Sequence, residues 1–365
     1  METKYEILEY LSSKHNVLLT GAPGTGKSRT MNEVVEAFLK GNEISSTPSH
    51  VVGAKVPIPA IAEGVGADIP MLKRKNRKVF RTTLHQNSKY RDFLTGIVPS
   101  FDDNNGYTVN EGILYRANEF AKQEDSAALL IIDEINRGPA IEVFGGSIVA
   151  IEADKRLSDT GGILETTQFF EILSPKTKTM IEYALSPHLY ILAAMNQADV
   201  SVAPLDVAFL RRWHSYKLRP DYDVLYKRFG VNKTDELVKT PSSSKDVYCV
   251  AIKALEKINE SISIGRGEDY QLGQGVFLST SPKDNSLEGS LKFVCEVWSM
   301  IFAHIEELFF GDPAATGYII NANSDISPYE MQEVYFAEER KVLLKNTGVD
   351  VGNIYQVYLA IASKT

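Results

Sequence analysis

The stretch Asn16–Ser28, NVLLTGAPGTGKS, decides the architecture of this chain. Its first residues form a short apolar run of strand character that stops at a glycine turn. SRTMNEVVEAFLK then carries helical spacing up to Gly41. Strand, glycine-rich turn and helix in immediate succession are the context in which G-x-x-x-x-G-K-[ST] has chemical meaning. Gly21, Gly24 and Gly26 permit the backbone turn. The loop of Gly21, Ala22, Pro23, Gly24, Thr25 and Gly26 is expected to surround phosphates with main-chain N–H groups, at the positive end of the helix that follows. Lys27 should reach the outer phosphates and the Ser28 hydroxyl should ligate Mg²⁺. Phosphate-loop chemistry is the same for ATP and GTP, so these residues leave the base open.

Working outward, ALLIIDE (128–134) is a continuous apolar run, which suits a strand buried on both faces of a parallel sheet. It ends on two acids. Such sheets bind ligands beyond the carboxyl ends of their strands. Asp133 is therefore expected to hold Mg²⁺, and Glu134 to polarise the attacking water. LYILAAMN (189–196) is a second apolar run, and it ends on an amide. If it lies beside the acidic strand, Asn196 emerges where it can orient that water. Downstream, LDVAFLRRW (205–213) closes a half-apolar helical segment with Arg211 and Arg212. A helix C-terminus favours one cation through its dipole. A pair at this point suggests a guanidinium offered to a neighbouring subunit's nucleotide, an arginine finger in trans. A finger in trans implies a ring, since each site is completed by the next protomer.

Alternation of strands and helices gives an α/β fold in which helices cover a parallel sheet. Residues 4–14 have helical spacing, KVFRTTLH (78–85) alternates like a strand, and AIEVFGGSIVAIEAD (140–154) is expected to be helical. The stretch 42–71 has loop composition. KRKNRK (73–78) is expected to be a solvated loop before a strand, with a phosphate or partner contact as the alternative. After about Pro220 helical spacing dominates, in DVYCVAIKALEKINESI, SLKFVCEVWSMIFAHIEELFF and SPYEMQEVYFAEERKVLLK. The expected division is a nucleotide-binding α/β domain over 1–220 and a smaller, mostly helical domain over 221–365.

The 365 residues suffice for one large or two ordinary domains, and 44% hydrophobic with 24% charged residues is a globular composition. A net charge of −8 argues against gripping duplex DNA over an outer face. The two cysteines, Cys249 and Cys295, are far apart without a CxxC or Cys/His cluster, which fits reduced thiols in the cytoplasm. No apolar run approaches the roughly 20 residues of a membrane span, so no membrane partner is expected.

Phosphate loop, acidic strand, polar strand tip, paired arginines and a helical second domain together resemble an AAA+ NTPase. LLIIDEINRGPAIEVFGGSIVAIE looks like the DEINR segment of McrB-type and MoxR-type members. The McrB-like pattern is further matched by YRDFLTGIVPSFDDNNGYTVNEGILYRANEFA (90–121), with a hairpin before a helix, and by AAMNQADVSVAPLDVAFLRRW. IGRGEDYQLGQGVFL and VWSMIFAHIEELFF resemble the family's lid. The resemblance covers about residues 14–310. It implies a nucleotide site of Lys27, Ser28, Asp133, Glu134 and Asn196, with Asp199 in the signature loop and Arg211 or Arg212 as the finger. It also implies a hexameric ring using GTP or ATP with Mg²⁺. That ring would drive a McrC-like nuclease subunit in a restriction or antiphage-defence complex that meets DNA indirectly. A MoxR-like ATPase that remodels protein partners is the alternative. Three positions depart from the pattern: Val200 replaces an arginine, Gln274 a histidine, and Trp213 the third residue of the arginine run. The chain also starts almost at the AAA+ domain, so DNA recognition is expected from another polypeptide.

Overall fold

The structure is a computed structural model that describes residues 2–41, 69–100, 106–196, 198, 205–346 and 348–364. It divides into two compact units. One comprises Met1–Thr20 and Lys27–Lys217; the other comprises Gly21–Gly26 and Leu218–Thr365.

The first unit is built on a five-stranded sheet. Its strands are β1 (Asn16–Thr20), β2 (Asn76–Thr83), β3 (Ser126–Asp133), β4 (Leu189–Ala194) and β5 (His214–Lys217). Their order is β2-β3-β4-β1-β5, and every neighbouring pair is parallel. The period of two explains why β3 is apolar throughout. Ala128, Leu130 and Ile132 enter a core with Leu114 and Ala117 of helix α3 (Ile113–Ala121). Leu129 and Ile131 enter the opposite core, with Ile7, Leu8 and Leu11 of α1 (Thr3–Lys14) and Val34 and Phe38 of α2 (Lys27–Lys40). Each such leucine or isoleucine contributes about 1.5–3 kcal/mol by leaving water. A sheet covered on both sides therefore holds the carboxyl ends of β3 and β4 as a rigid rim. The hairpin expected before α3 is Thr95–Pro99 paired antiparallel with Tyr107–Glu111.

The second unit is centred on α4 (Ser244–Gly265), α5 (Leu287–Leu308) and α6 (Ile354–Ala362). Their apolar faces meet through Leu255, Ile258, Val297, Ile301, Tyr358 and Ile361. A capping box between Ser243 and Asp246 starts α4, satisfying N–H groups that the first turn would otherwise leave unpaired.

One local expectation is refined and two are corrected. Residues 140–154 are helical as expected but in pieces: the short α-helices Ala140–Phe144 and Ser147–Ala150 are followed by the 3-10 helix Ala153–Lys155. Gly145, at φ +49°, interrupts the spacing. The basic run 73–78 is only partly a loop, because β2 already begins at Asn76. Residues 327–345 contain a β-hairpin, Tyr329–Phe336 against Glu339–Asn346, where helix was expected. Its Glu, Lys, Ala and Leu content favours helix, and no Asn-Gly marks the turn. Tertiary contact decides instead: Tyr329 is buried and accepts a 2.9 Å hydrogen bond from Trp298 Nε1. Among the described residues no helix is long and apolar enough to cross a membrane.

Candidate nucleotide site

At the carboxyl rim of the first unit, β4 lies between β3 and β1, with Ile132 in register with Ala193 and Leu19 with Ala194. The polar residue ending β4 therefore emerges beside the acids ending β3. Asn196 Nδ2 donates to Glu134 Oε1 at 3.2 Å. The other carboxylate oxygen, Oε2, is 3.1 Å from Arg137 Nε. Asn136 Nδ2 donates to the Asn196 carbonyl at 3.0 Å, tying the two strand tips through the main chain as well. Glu134 occupies the left-handed region, at φ 52° and ψ 48°, and its N–H donates to Asp133 Oδ1 at 3.0 Å. A non-glycine residue held there costs about 1–3 kcal/mol. The surroundings maintain that conformation at the position where a positioned carboxylate is useful. Arg137 was not foreseen as a partner of Glu134, although its i,i+3 spacing is visible in DEINR.

Lys27 starts α2. Burial pushes its ammonium down to about 8, against the upward pull of Glu134 and then Asp133. Ser28 and Asp133 line one cavity of about 410 Å³ together with Asn32, Arg81, Thr82 and Thr83. Thr83 is in register with Asp133 on the neighbouring strand, and Arg81 Nη2 donates to Asn32 Oδ1 at 2.9 Å. A hydroxyl and a carboxylate on one cavity are hard oxygen donors that fit Mg²⁺, which keeps water and phosphate oxygens among its ligands. Among the described residues no cluster of three His, Cys, Asp or Glu forms a protein-only cage. Arg81 and Thr83 carried no motif and were missed in the sequence.

The loop Gly21–Gly26 is part of the second unit and makes its contacts within it. Gly24 and Gly26 adopt φ +77° and +93°, accessible to glycine at little cost. The N–H of Gly273 donates to the Pro23 carbonyl at 2.9 Å, and that of Gly275 to the Gly24 carbonyl at 2.8 Å. Gln274 Nε2 donates to the Thr25 carbonyl at 3.0 Å while its Oε1 accepts from the Asp221 N–H, also at 3.0 Å. The approach is backbone on backbone: a Cβ on Gly273 would lie 2.1 Å from the Gly24 carbonyl carbon. Asn259 of α4 fixes this segment by bonding Leu272 at both ends, 2.7 Å from its N–H and 2.8 Å from its carbonyl. Gln274, noted in the sequence only as a departure, is thus the side chain that grips the loop. Ala22 accepts the Thr25 hydroxyl at 2.9 Å.

The segment before the arginines is a single turn, Val207–Leu210, capped by Asp206, whose Oδ1 accepts from the Ala208 N–H at 2.9 Å. Arg211 is exposed, and no partner among the described residues holds its side chain. Arg212 differs: its side chain is 9% exposed, with Nε 3.0 Å from Glu152 Oε1 and Nη1 on the Ala208 carbonyl. Trp213 is buried against Phe209 and Phe144, at ring-centroid distances of 5.7 and 6.2 Å. Asp199 and Val200 lie outside the described residues.

Residues 10–156 match the AAA domain family. The chain is 27% identical over 325 residues to the type IV methyl-directed restriction enzyme EcoKMcrB subunit of Escherichia coli K12, covering 86% of this chain and 58% of that protein. It is 27% identical over 221 residues to the type II restriction enzyme BsuMI component YdiS of Bacillus subtilis 168, covering 58% of each. It thus spans little more than half the length of both relatives. Among solved structures, PCH-2 of C. elegans is 14% identical, covering 83% of this chain and 69% of that one, at a TM-score of 0.32. That likeness carries no argument.

Proposed function

We propose, from the AAA domain match over residues 10–156 and the similarity to a McrB subunit, that the chain is a McrB-like AAA+ protein, a Mg²⁺-dependent nucleoside triphosphatase working as a hexameric ring. It is the motor subunit of a restriction or defence complex whose McrC-like partner carries the nuclease and brings DNA to it. The observation that carries the reading is the rim of β3 and β4, where Glu134 is held from both sides by Asn196 and Arg137.

In this reading Gly21–Ser28 binds the triphosphate, with Lys27 supplying the cation at its outer end. Ser28 and Asp133 hold Mg²⁺, which neutralises charge on the phosphate oxygens when bound. Glu134 orients and polarises the water. The amide of Asn196 fixes the carboxylate that does so, and a neighbouring protomer's Arg211 stabilises the charge of the transferring phosphoryl group. Arg211 is preferred over Arg212 because Arg212 is already engaged with Glu152 in its own chain. Glycines and N–H groups read phosphates and not bases, so ATP and GTP are both accommodated by this chemistry.

The test is hydrolysis of ATP and of GTP by the purified chain while its mass in solution is followed, with and without a McrC-like nuclease subunit. Assembly on nucleotide and acceleration by the nuclease are expected. Full basal turnover with no response to the nuclease would overturn the motor assignment.

A further inference from the structure

Arg156 is the largest fully buried side chain among the described residues, 1% exposed, and its hydrogen bonds among those residues reach no carboxylate. Burial of a cation without an acid is costly and pushes its guanidinium down to about 9. Its N–H groups are all directed at neutral oxygens. Nε and Nη2 donate to the Ile151 carbonyl at 3.0 and 2.8 Å, Nη1 to the carbonyls of Ser186 and Leu189, and Nη2 also to Asn16 Oδ1 at 2.8 Å. Asn16, 1% exposed at the start of β1, passes the connection on. Its Nδ2 donates to the Ile151 carbonyl at 2.6 Å and to the Arg212 carbonyl at 3.3 Å. Glu152, next in the chain, faces the Arg212 side chain. Arg212 is therefore fixed through both its main chain and its side chain by one network. The adjacent residue, Arg211, is exposed.

We propose that Glu152, Arg156 and Asn16 are positioning residues that set the backbone from which Arg211 reaches a neighbouring protomer's nucleotide. This rests on Arg211 being the finger. The physical argument is one of entropy. An arginine side chain has many rotamers to order, and mobility of its backbone would add to what must be ordered at each turnover. Anchoring the following residue, Arg212, reduces what must be ordered at Arg211 to little more than its side chain.

The experiment uses mixed assemblies with phosphate release as readout. Chains carrying Lys27→Ala have no working site but can donate Arg211; chains carrying Arg211→Ala have a site but no finger. The pair should recover activity that neither has alone. Glu152→Gln, at a side chain that is 33% exposed, is then added to one partner or the other. On the donating chain it should lower the recovered rate at least tenfold; on the accepting chain it should change nothing; Glu152→Asp on the donor should restore part of the loss. Arg156→Lys, tested on chains whose melting is unchanged, should behave like Glu152→Gln. Equal loss on both sides, or no loss on either, overturns the positioning role while leaving the finger intact. No recovery in the parent pair, with mixed assembly verified by mass, removes the finger reading and this proposal with it.

Discussion

Two polar regions of the first unit are built in opposite ways. At the rim of β3 and β4 the Glu134 carboxylate is satisfied within the chain, by Asn196 on one oxygen and Arg137 on the other. At the turn Val207–Trp213 the following residue, Arg212, is held by Glu152, Asn16 and the Ala208 carbonyl, while Arg211 is exposed and no partner among the described residues holds its side chain. The first region is complete in one protomer and the second is not. In the proposed ring, an exposed arginine of one chain is available to the nucleotide site of the next.

The comparison can be broken most sharply at the incomplete end. Arg211→Ala should lower turnover by about 10³–10⁵-fold with nucleotide binding retained, since a finger acts on the transition state. A loss of only a fewfold would mean the site needs no neighbour. At the complete end, Glu134→Gln should bind nucleotide and assemble but hydrolyse about 10²–10⁴-fold more slowly, a change read in single-turnover kinetics. Lys27 adds a pH dependence. Its ammonium titrates near 8 in the free chain, and bound phosphates favour the charged form. Affinity should be constant below that pH and weaken above it by up to about tenfold per pH unit, measured by calorimetry. Gln274→Ala should weaken nucleotide binding by about fivefold to tenfold, the worth of one or two hydrogen bonds, with kcat little altered. Arg212→Ala, in contrast to its neighbour, should cost stability of about 1–3 kcal/mol by leaving Glu152 and the Ala208 carbonyl without their cation, measured by denaturant unfolding.

How much of this was legible in the sequence follows from the range of the interactions involved. β3 and β4 could be read directly, because strands buried on both faces must be apolar throughout and a polar residue at their tip then stands out. The five-residue β1 and the helix after the glycine turn were legible for the same local reason. The hairpin at Tyr329–Asn346 was not: its composition suits helix, and only its packing against Trp298 selects the strand. Arg156 was hidden in KRL, where it looks like one more surface cation; its acceptors Asn16 and Leu189 are 140 and 33 residues away. Gln274 was noticed for the residue it replaced, while the carbonyl it grips is 249 residues earlier. Adjacency of Arg211 and Arg212 left open which of them is the finger, and only burial and the Glu152 contact separate them.

The most direct test of the central claim is the specific rate of nucleotide hydrolysis measured against protein concentration, with the assembled fraction followed by light scattering in the same samples. If each site is completed by a neighbour's Arg211, the rate per chain should be near zero for the monomer and rise in proportion to the assembled fraction. A monomer that hydrolyses at the full rate would contradict the account.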